Sequence, residues 1–401
     1  MKQVKSKILL YFLLSLAFLR PCLDILSQFQ FQLHNNLPYL NINIIIGSLV
    51  FIIGFIWLAK NIKSAFKTPL FKIIIFFLGL TFISIFYTFD KAVGFQEFIR
   101  LATIFLLYFL SFKLIDSKED FYLLIKVILA SYILPALFAL AQLFLGLGLP
   151  DDFNGFLRIF GTFAHPNPFA FYTFYILSLL LILILTKDLV NPEFKQYLWL
   201  AALAVIILLL FSYCRSALFA LFLFLFFLGI FKYRKLLLIG VIVFIAAYLF
   251  LPAFQQRFYE LISLDPYGSV VWRFRLWKDM LPVALWHPLF GQGLDSFQSI
   301  VEFYRGYDFG SLEAHNDYLK ILVENGIAGL LSYALIILGL LIYLWKIFIK
   351  AQARDKSLAL GILIIVLSLY SVSFFDNILR ATALQWNLWI LLGGWLRINR
   401  K

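Results

Sequence analysis

The chain has 401 residues, of which 63% are hydrophobic and 14% charged, with 48 Phe and a formal charge of +13. A typical soluble domain is roughly 25% charged, so this chain cannot cover the surface of soluble domains, and a soluble enzyme, a disordered chain and a nucleic-acid binder are excluded. Cys22 and Cys214, the two cysteines, build neither a disulfide framework nor a four-ligand metal site. Composition therefore predicts an all-α integral membrane protein.

A crossing helix needs about 20 mostly apolar residues, and that criterion predicts about 12 transmembrane helices. They fall near 8–29, 39–59, 69–88, 96–115, 121–145, 167–186, 194–213, 216–231, 235–252, 326–349, 357–375 and 383–397. The eighth is short and the twelfth marginal, so ten or eleven crossings also fit. The first span contains Arg20-Pro21 and is expected to kink there. Arg20, Pro21 and Asp24 also interrupt it, and no small-residue cleavage site follows, so it is not expected to be a removable signal peptide.

Basic residues orient the set. Lys60, Lys63 and Lys67, then Lys232, Arg234 and Lys235, then Lys346, Lys350, Arg354 and Lys356 follow even-numbered spans. The short loops on the other side carry only Lys91, Arg158, Arg215 and Arg380. This asymmetry places both termini in the cytoplasm of a multi-pass inner-membrane protein. The chain reads as one polytopic domain, 1–401, with a large extracytoplasmic loop, 253–326, between spans nine and ten. Large loops on a compact bundle tend to carry function.

Four clusters bear chemistry, all on the outer side of this topology. In RIFGTFAHPNPFAFY (158–172), Gly161, Pro166 and Pro168 shape a turn that holds His165 and Asn167 at a helix start, where free backbone N–H groups favour an anion. Taken alone, an ordinary helix-start signal with an interfacial histidine is the plainer reading. In SYCRSALFA (212–220), Arg215 sits between two apolar runs, and its guanidinium suits a phosphate; snorkelling to headgroups is the plain alternative. In VVWRFRLWKDML (270–281), Arg273 shares a helical face with Trp277 while Arg275 points elsewhere. Interfacial anchoring competes with substrate binding for Arg275 and less so for Arg273. Gly291 and Gly293 form a lone G-x-G, a weak phosphate-loop signal. In EAHNDYLKILVENGIAGLLSY (313–333), His315 and Asn316 open a helix that Gly326 breaks. A histidine here can take a proton from an attacking hydroxyl, with Glu313, Asp317 or Glu324 to orient it. No pair of histidines has metal-ligand spacing and no G-x-S-x-G elbow occurs, so the expectation is metal-free group transfer without a cofactor.

These motifs resemble the O-antigen ligase and polymerase superfamily of bacterial membrane glycosyltransferases. The resemblance runs in order through G-T-F-x-x-P-N (161–167), an S-R-S-A-like stretch with Cys214 in the first place (214–217), R-x-x-x-W (273–277), H-P-L-F-G-Q-G-L-x-x-F (287–297) and H-N-x-Y-L-x-x-L-x-E-x-G-I-x-G-L (315–330). It implies a polyprenyl pyrophosphate-linked glycan donor, a glycan or glycolipid acceptor, membrane lipids as surroundings and no nucleic acid. It also implies His315 as general base and Arg215 and Arg273, with Arg275 as fallback, as pyrophosphate ligands. Arg158 and Arg100 are further phosphate candidates, and His165, Asn167 and Asn316 supporting ones. Ligase and polymerase roles both fit, because the motifs do not choose the acceptor. A secondary transporter is the rival class, but it predicts two similar halves and a long central cytoplasmic loop, whereas the link between spans six and seven is short.

Overall fold

The computed structural model describes residues 2–31, 40–150, 155–186, 191–250, 252–263, 268–305 and 310–400. The described chain is almost wholly helical. Its helices are α1 (Lys2–Cys22), α2 (Ile42–Lys60), the single turn α3 (Ile62–Ala65), α4 (Phe71–Ser84), α5 (Lys91–Leu114), α6 (Lys118–Ala130) and α7 (Ile133–Leu145). Then come α8 (Pro166–Leu185), α9 (Pro192–Phe211), α10 (Arg215–Phe231), α11 (Lys235–Phe250), α12 (Pro252–Ser263), α13 (Ser269–Ala284) and α14 (Phe297–Arg305). Last are α15 (Asp317–Lys350), α16 (Ala353–Val372) and α17 (Thr382–Ile398). Two-residue strands, β1 (Leu149–Pro150) and β2 (Leu157–Arg158), pair antiparallel before α8.

Among the described residues, seven helical segments are long and apolar enough to cross a membrane: Ile42–Lys60, Lys91–Leu114, Lys118–Leu145, Pro166–Leu185, Pro192–Phe211, Asp317–Lys350 and Asp355–Val372. Three shorter apolar helices, Phe71–Tyr87, Arg215–Phe231 and Lys235–Phe250, accompany them. Helices α1 and α17 fall on the first and last predicted stretches. The core gathers around α5, α8, α16 and α17, and every residue of α17 from Ala383 to Leu396 is buried. In contrast, α2, α9 and α11 turn Leu49, Phe55, Leu200, Leu203, Ile242 and Leu249 outward, the pattern of a bundle whose solvent is lipid.

Two predicted spans are interrupted for local reasons. Instead of kinking and continuing to 29, α1 stops at Cys22, one residue past Pro21, and a 3-10 turn follows at Asp24–Gln28. Arg20 there pairs with Asp24 at 2.8 Å. The fifth span breaks at Ser131–Tyr132 into α6 and α7 because Pro135 has no N–H for the Ser131 carbonyl. That carbonyl instead faces the Cys22 thiol at 3.5 Å.

The stretch 253–326 contains α12, α13, α14 and the start of α15. Trp272, Leu276, Met280, Phe297, Ile300 and Val323 form a small apolar core of its own there. Helix α15 bends at Gly326, where φ is 64° and ψ is −168°. Only glycine is at ease in that region, and a Cβ would lie 2.4 Å from the Leu289 backbone. The bend receives the 287–293 loop: Gln292 and Gly293 N–H donate to the Val323 and Glu324 carbonyls, both at 2.9 Å, and Ile327 N–H to Pro288 O at 2.8 Å. A Cβ on Gly291 would fall 2.4 Å from Asn325 N. The G-x-G therefore seats a loop on a helix bend.

Candidate functional site

One end of the bundle holds a cavity of about 890 Å³ where α8, α10, α15 and α17 begin and α16 ends. Its walls carry Arg158, Arg215, Arg273 and Arg380, the carboxylates Glu313 and Asp376, and both His165 and His315.

His315 owes its place to the helix start behind it. Asn316 caps α15, its side chain accepting the Leu319 N–H at 3.0 Å. Asp317 N–H donates to Ser373 O at 2.9 Å, and the Asp317 carboxylate accepts Leu379 N–H at 2.9 Å. These bonds clamp the start of α15 onto the loop between α16 and α17. They hold His315 at φ 45°, a left-handed conformation that a non-glycine residue adopts at a cost of about 1–3 kcal/mol and that clusters at functional sites.

Across that clamp His315 Nδ1 lies 3.2 Å from Asp376 Oδ1. A carboxylate only accepts, so Nδ1 carries the proton and the Nε2 lone pair is left for chemistry. Burial, aided by the Arg273 charge, lowers the His315 pKa below its ordinary 6.5, against the opposing pull of Asp376. His315 is thus neutral at pH 7. Burial raises the Asp376 pKa, but the His315 hydrogen bond, nearby positive charge and the Asn377 N–H outweigh it and hold this carboxyl well below its usual range.

A hydrogen-bonded chain continues from there. Asn167 Nδ2 donates to Asp376 Oδ2 at 3.3 Å, and Arg158 Nη2 donates to Asn167 Oδ1 at 2.7 Å. Arg158 Nε donates to Ser212 O at 2.9 Å, tying the turn before α10 to β2. His165 caps α8, its Nδ1 accepting the Asn167 N–H at 3.1 Å. The recess it lines and the Arg158 charge hold its pKa at about 4. Below this loop, Gln142 Oε1 accepts Phe160 and Gly161 N–H at 2.9 and 2.8 Å, so the G-T-F stretch anchors the loop that presents His165 and Asn167.

On the opposite wall, Arg215 opens α10 and donates to the Ser269 hydroxyl. Arg273 stacks over Trp272 at 5.6 Å and donates from Nη1 to Phe375 O at 3.0 Å. Its Nε is a buried donor without a partner, in a wall where an anion would supply one. Cys214, buried in the turn before Arg215, has its thiol pKa pushed up to about 11 by burial, so it is no nucleophile at neutral pH.

The cavity thus brings together His315, Arg215, Arg273, Arg158, His165 and Asn167. Two phosphate candidates lie elsewhere. Arg275 is exposed on the other side of α13 and does not line the cavity. Arg100 lies on α5, held by Glu97 through two contacts of 2.6 Å and by Leu379 O at 2.6 Å; its charge is spent inside the bundle. Nor does any carboxylate nominated for His315 from sequence turn to it. Glu313 pairs with Arg380, Asp317 takes the Leu379 N–H, and Glu324 sits 3.0 Å from Lys320. The orienting group is Asp376, in the connection F-F-D-N-I-L-R, whose place between the last two predicted spans was the available signal. Arg380, from the same connection, is a second wall residue that sequence counted only as a topology charge. Among the described residues, no three His, Cys, Asp or Glu side chains converge as a metal-ligand set.

Fold and site define a helical membrane-type protein with a cationic cleft around a neutral, carboxylate-oriented histidine. Residues 200–334 match the family model described as O-Antigen ligase, and this shows the resemblance to the O-antigen ligase and polymerase superfamily over the segment that holds Arg215, Arg273 and His315. None of the curated proteins compared with the chain matches it. The family match supports glycosyl transfer of the O-antigen ligase kind.

Proposed function

We propose that the protein transfers the glycan of a polyprenyl pyrophosphate-linked donor to an acceptor hydroxyl, with inversion and without a metal, on the outer face of the cytoplasmic membrane. The observation that carries this reading is the His315–Asp376 pair at 3.2 Å facing a wall of arginines in one cavity, within and beside a segment of O-antigen ligase type.

The chemistry follows from the groups present. His315 Nε2 removes the acceptor hydroxyl proton as that oxygen bonds to the anomeric carbon. The bond from that carbon to the pyrophosphate oxygen breaks, and its electron pair leaves with the polyprenyl pyrophosphate. Arg215 and Arg273 take up the charge that develops there, the role a divalent cation plays in other phosphate-leaving reactions. Asp376 is a positioning residue that fixes the imidazole tautomer, and Arg158 and Asn167 hold Asp376 in turn.

An apolar cavity of about 460 Å³ supports the donor assignment. Leu177, Leu181, Leu209, Leu218, Phe222 and Phe244 line it among α8, α9, α10 and α11. Leu218 lies one turn beyond Arg215 on α10, so a prenyl chain in this groove would place its pyrophosphate at the arginines. In this reading both termini are cytoplasmic and 253–326 is the extracytoplasmic insertion. The test is whether purified protein forms a glycosidic product from such a donor in a chelator, and whether His315→Ala and Arg215→Ala each slow it at least about 10²-fold.

A further inference from the structure

A second cavity, of about 320 Å³, lies at the far end of the same bundle. Helix α17 runs between the two: Ala381, just before its first residue, lines the first cavity and Arg397 lines the second. Sixteen residues of helix separate them by about 24 Å. The second cavity is built where α2, α5 and α17 all end, and Lys67, Lys113, Arg397 and Arg400 line it with no carboxylate among its walls.

A bland explanation exists for each cation singly, since Lys and Arg near helix C-termini complement the dipole and mark the cytoplasmic side. It does not explain their convergence on one recess. Arg397 and Arg400 both lie over the Phe112 ring, at 5.9 and 5.6 Å, so one aromatic side chain gathers two guanidinium groups at this recess. Among the described residues, none of the four has an ion-pair partner. Trp57, Ser64, Ala65 and Thr68 complete the walls. Beside the recess, Phe55, Ile56, Ile62 and Phe66 are exposed, an apolar flank that a headgroup's own acyl chains would cover.

We propose that this cavity seats the phosphate headgroup of an anionic phospholipid from the leaflet at the Lys-rich end. The four cations meet the phosphate, Trp57 sits at headgroup depth, and the acyl chains lie along α2 and the α3 turn. Basic recesses between transmembrane helices on the cytoplasmic side suit this chemistry. The inference stands independently of the glycosyl-transfer reading.

The test is thermal unfolding of the full chain in detergent, titrated with phosphatidylglycerol, phosphatidylcholine or inorganic phosphate. Phosphatidylglycerol is expected to stabilise saturably and phosphatidylcholine not at all. The exposed pair Lys67→Gln/Lys113→Gln is expected to weaken that binding about 30-fold, each cation being worth roughly fivefold at an anionic surface. The control Lys60→Gln/Lys63→Gln, equal in charge but outside the cavity, is expected to change it less than about twofold. Arg400→Gln, a single exposed change, gives the same reading as a loss of about fivefold should the first pair fold poorly. Equal losses in both pairs mean diffuse surface attraction and overturn the proposal. So does equal protection by inorganic phosphate, which assigns the cavity to a soluble anion, or by phosphatidylcholine.

Discussion

Asp376 and His315 stand 61 residues apart in the chain and 3.2 Å apart in space. The bond fixes which imidazole nitrogen is protonated, and it exists because the start of α15 is bolted to the α16–α17 connection through Asp317. Replacing Asp376 by Asn keeps the shape but removes the negative charge and gives the side chain an N–H donor, so it no longer selects one tautomer of His315. Transfer is expected to fall about 10²- to 10⁴-fold, as when the carboxylate of other His-carboxylate pairs is neutralised. The carboxylate raises the His315 pKa, so its loss moves the acid limb of the kcat/KM profile to lower pH. A fall in rate with an unmoved limb would make Asp376 merely structural.

The wild-type profile has a defined sign. In the proposed mechanism His315 works as the neutral base, and its pKa is lowered from 6.5 by burial and Arg273. Transfer is expected to rise with pH through a pKa below 6.5 and to be level from there to pH 8. Arg273→Gln removes a positive neighbour and shifts that limb upward, which a pH–rate series detects.

The arginines divide by position. Arg215→Ala and Arg273→Ala each remove a cation from the cavity wall where the proposed leaving group sits, and kcat/KM for the donor is expected to drop about 10²- to 10³-fold. Arg275→Ala, on the exposed side of α13, is expected to change it less than about twofold. Steady-state kinetics on the three variants separates the two sides of the helix.

Arg100→Ala is expected to cost stability instead of chemistry. It strands Glu97, which is buried and bound to that guanidinium at 2.6 Å, and breaking such a pair costs about 3–5 kcal/mol. Denaturant unfolding in detergent measures the loss, while the folded fraction is expected to keep its rate per molecule within about twofold.

His165 predicts a stability change with pH. Its folded pKa is about 4, against 6.5 ordinarily, so the unfolded chain binds the proton more readily. Its contribution is present in full above pH 6.5 and is lost as pH falls toward 4. His165→Asn keeps an N-cap acceptor for α8 and removes the titration, so its melting temperature is expected to fall less on acidification than that of the wild type.

Much of this was legible in sequence because both signals are local. Apolar runs bounded by Lys or Pro marked the stretches where the seven long apolar helical segments lie, and the charges left over included Arg158, Arg215 and Arg273, which do meet at one cavity. What sequence did not disclose is set by packing between distant segments. The nearest acids to His315 in the chain, Glu313 and Asp317, are held by their own partners, Arg380 and the Leu379 N–H, and the acid that reaches it comes from another connection. Arg100 resembled a phosphate ligand because an unpaired intramembrane charge is costly, yet Glu97, three residues away, already neutralises it. Gly291 resembled a phosphate loop because glycine serves any close backbone approach, and here that approach is to α15.

The most direct test of the central claim uses the purified full chain, a polyprenyl pyrophosphate-linked oligosaccharide and a hydroxyl acceptor in the presence of a chelator, with product followed by mass and anomeric configuration. The wild type is expected to give an inverted glycosidic product and released polyprenyl pyrophosphate, and His315→Ala to lose about 10³-fold or more. Full transfer by His315→Ala, or a product that retains the donor's configuration, would contradict that claim.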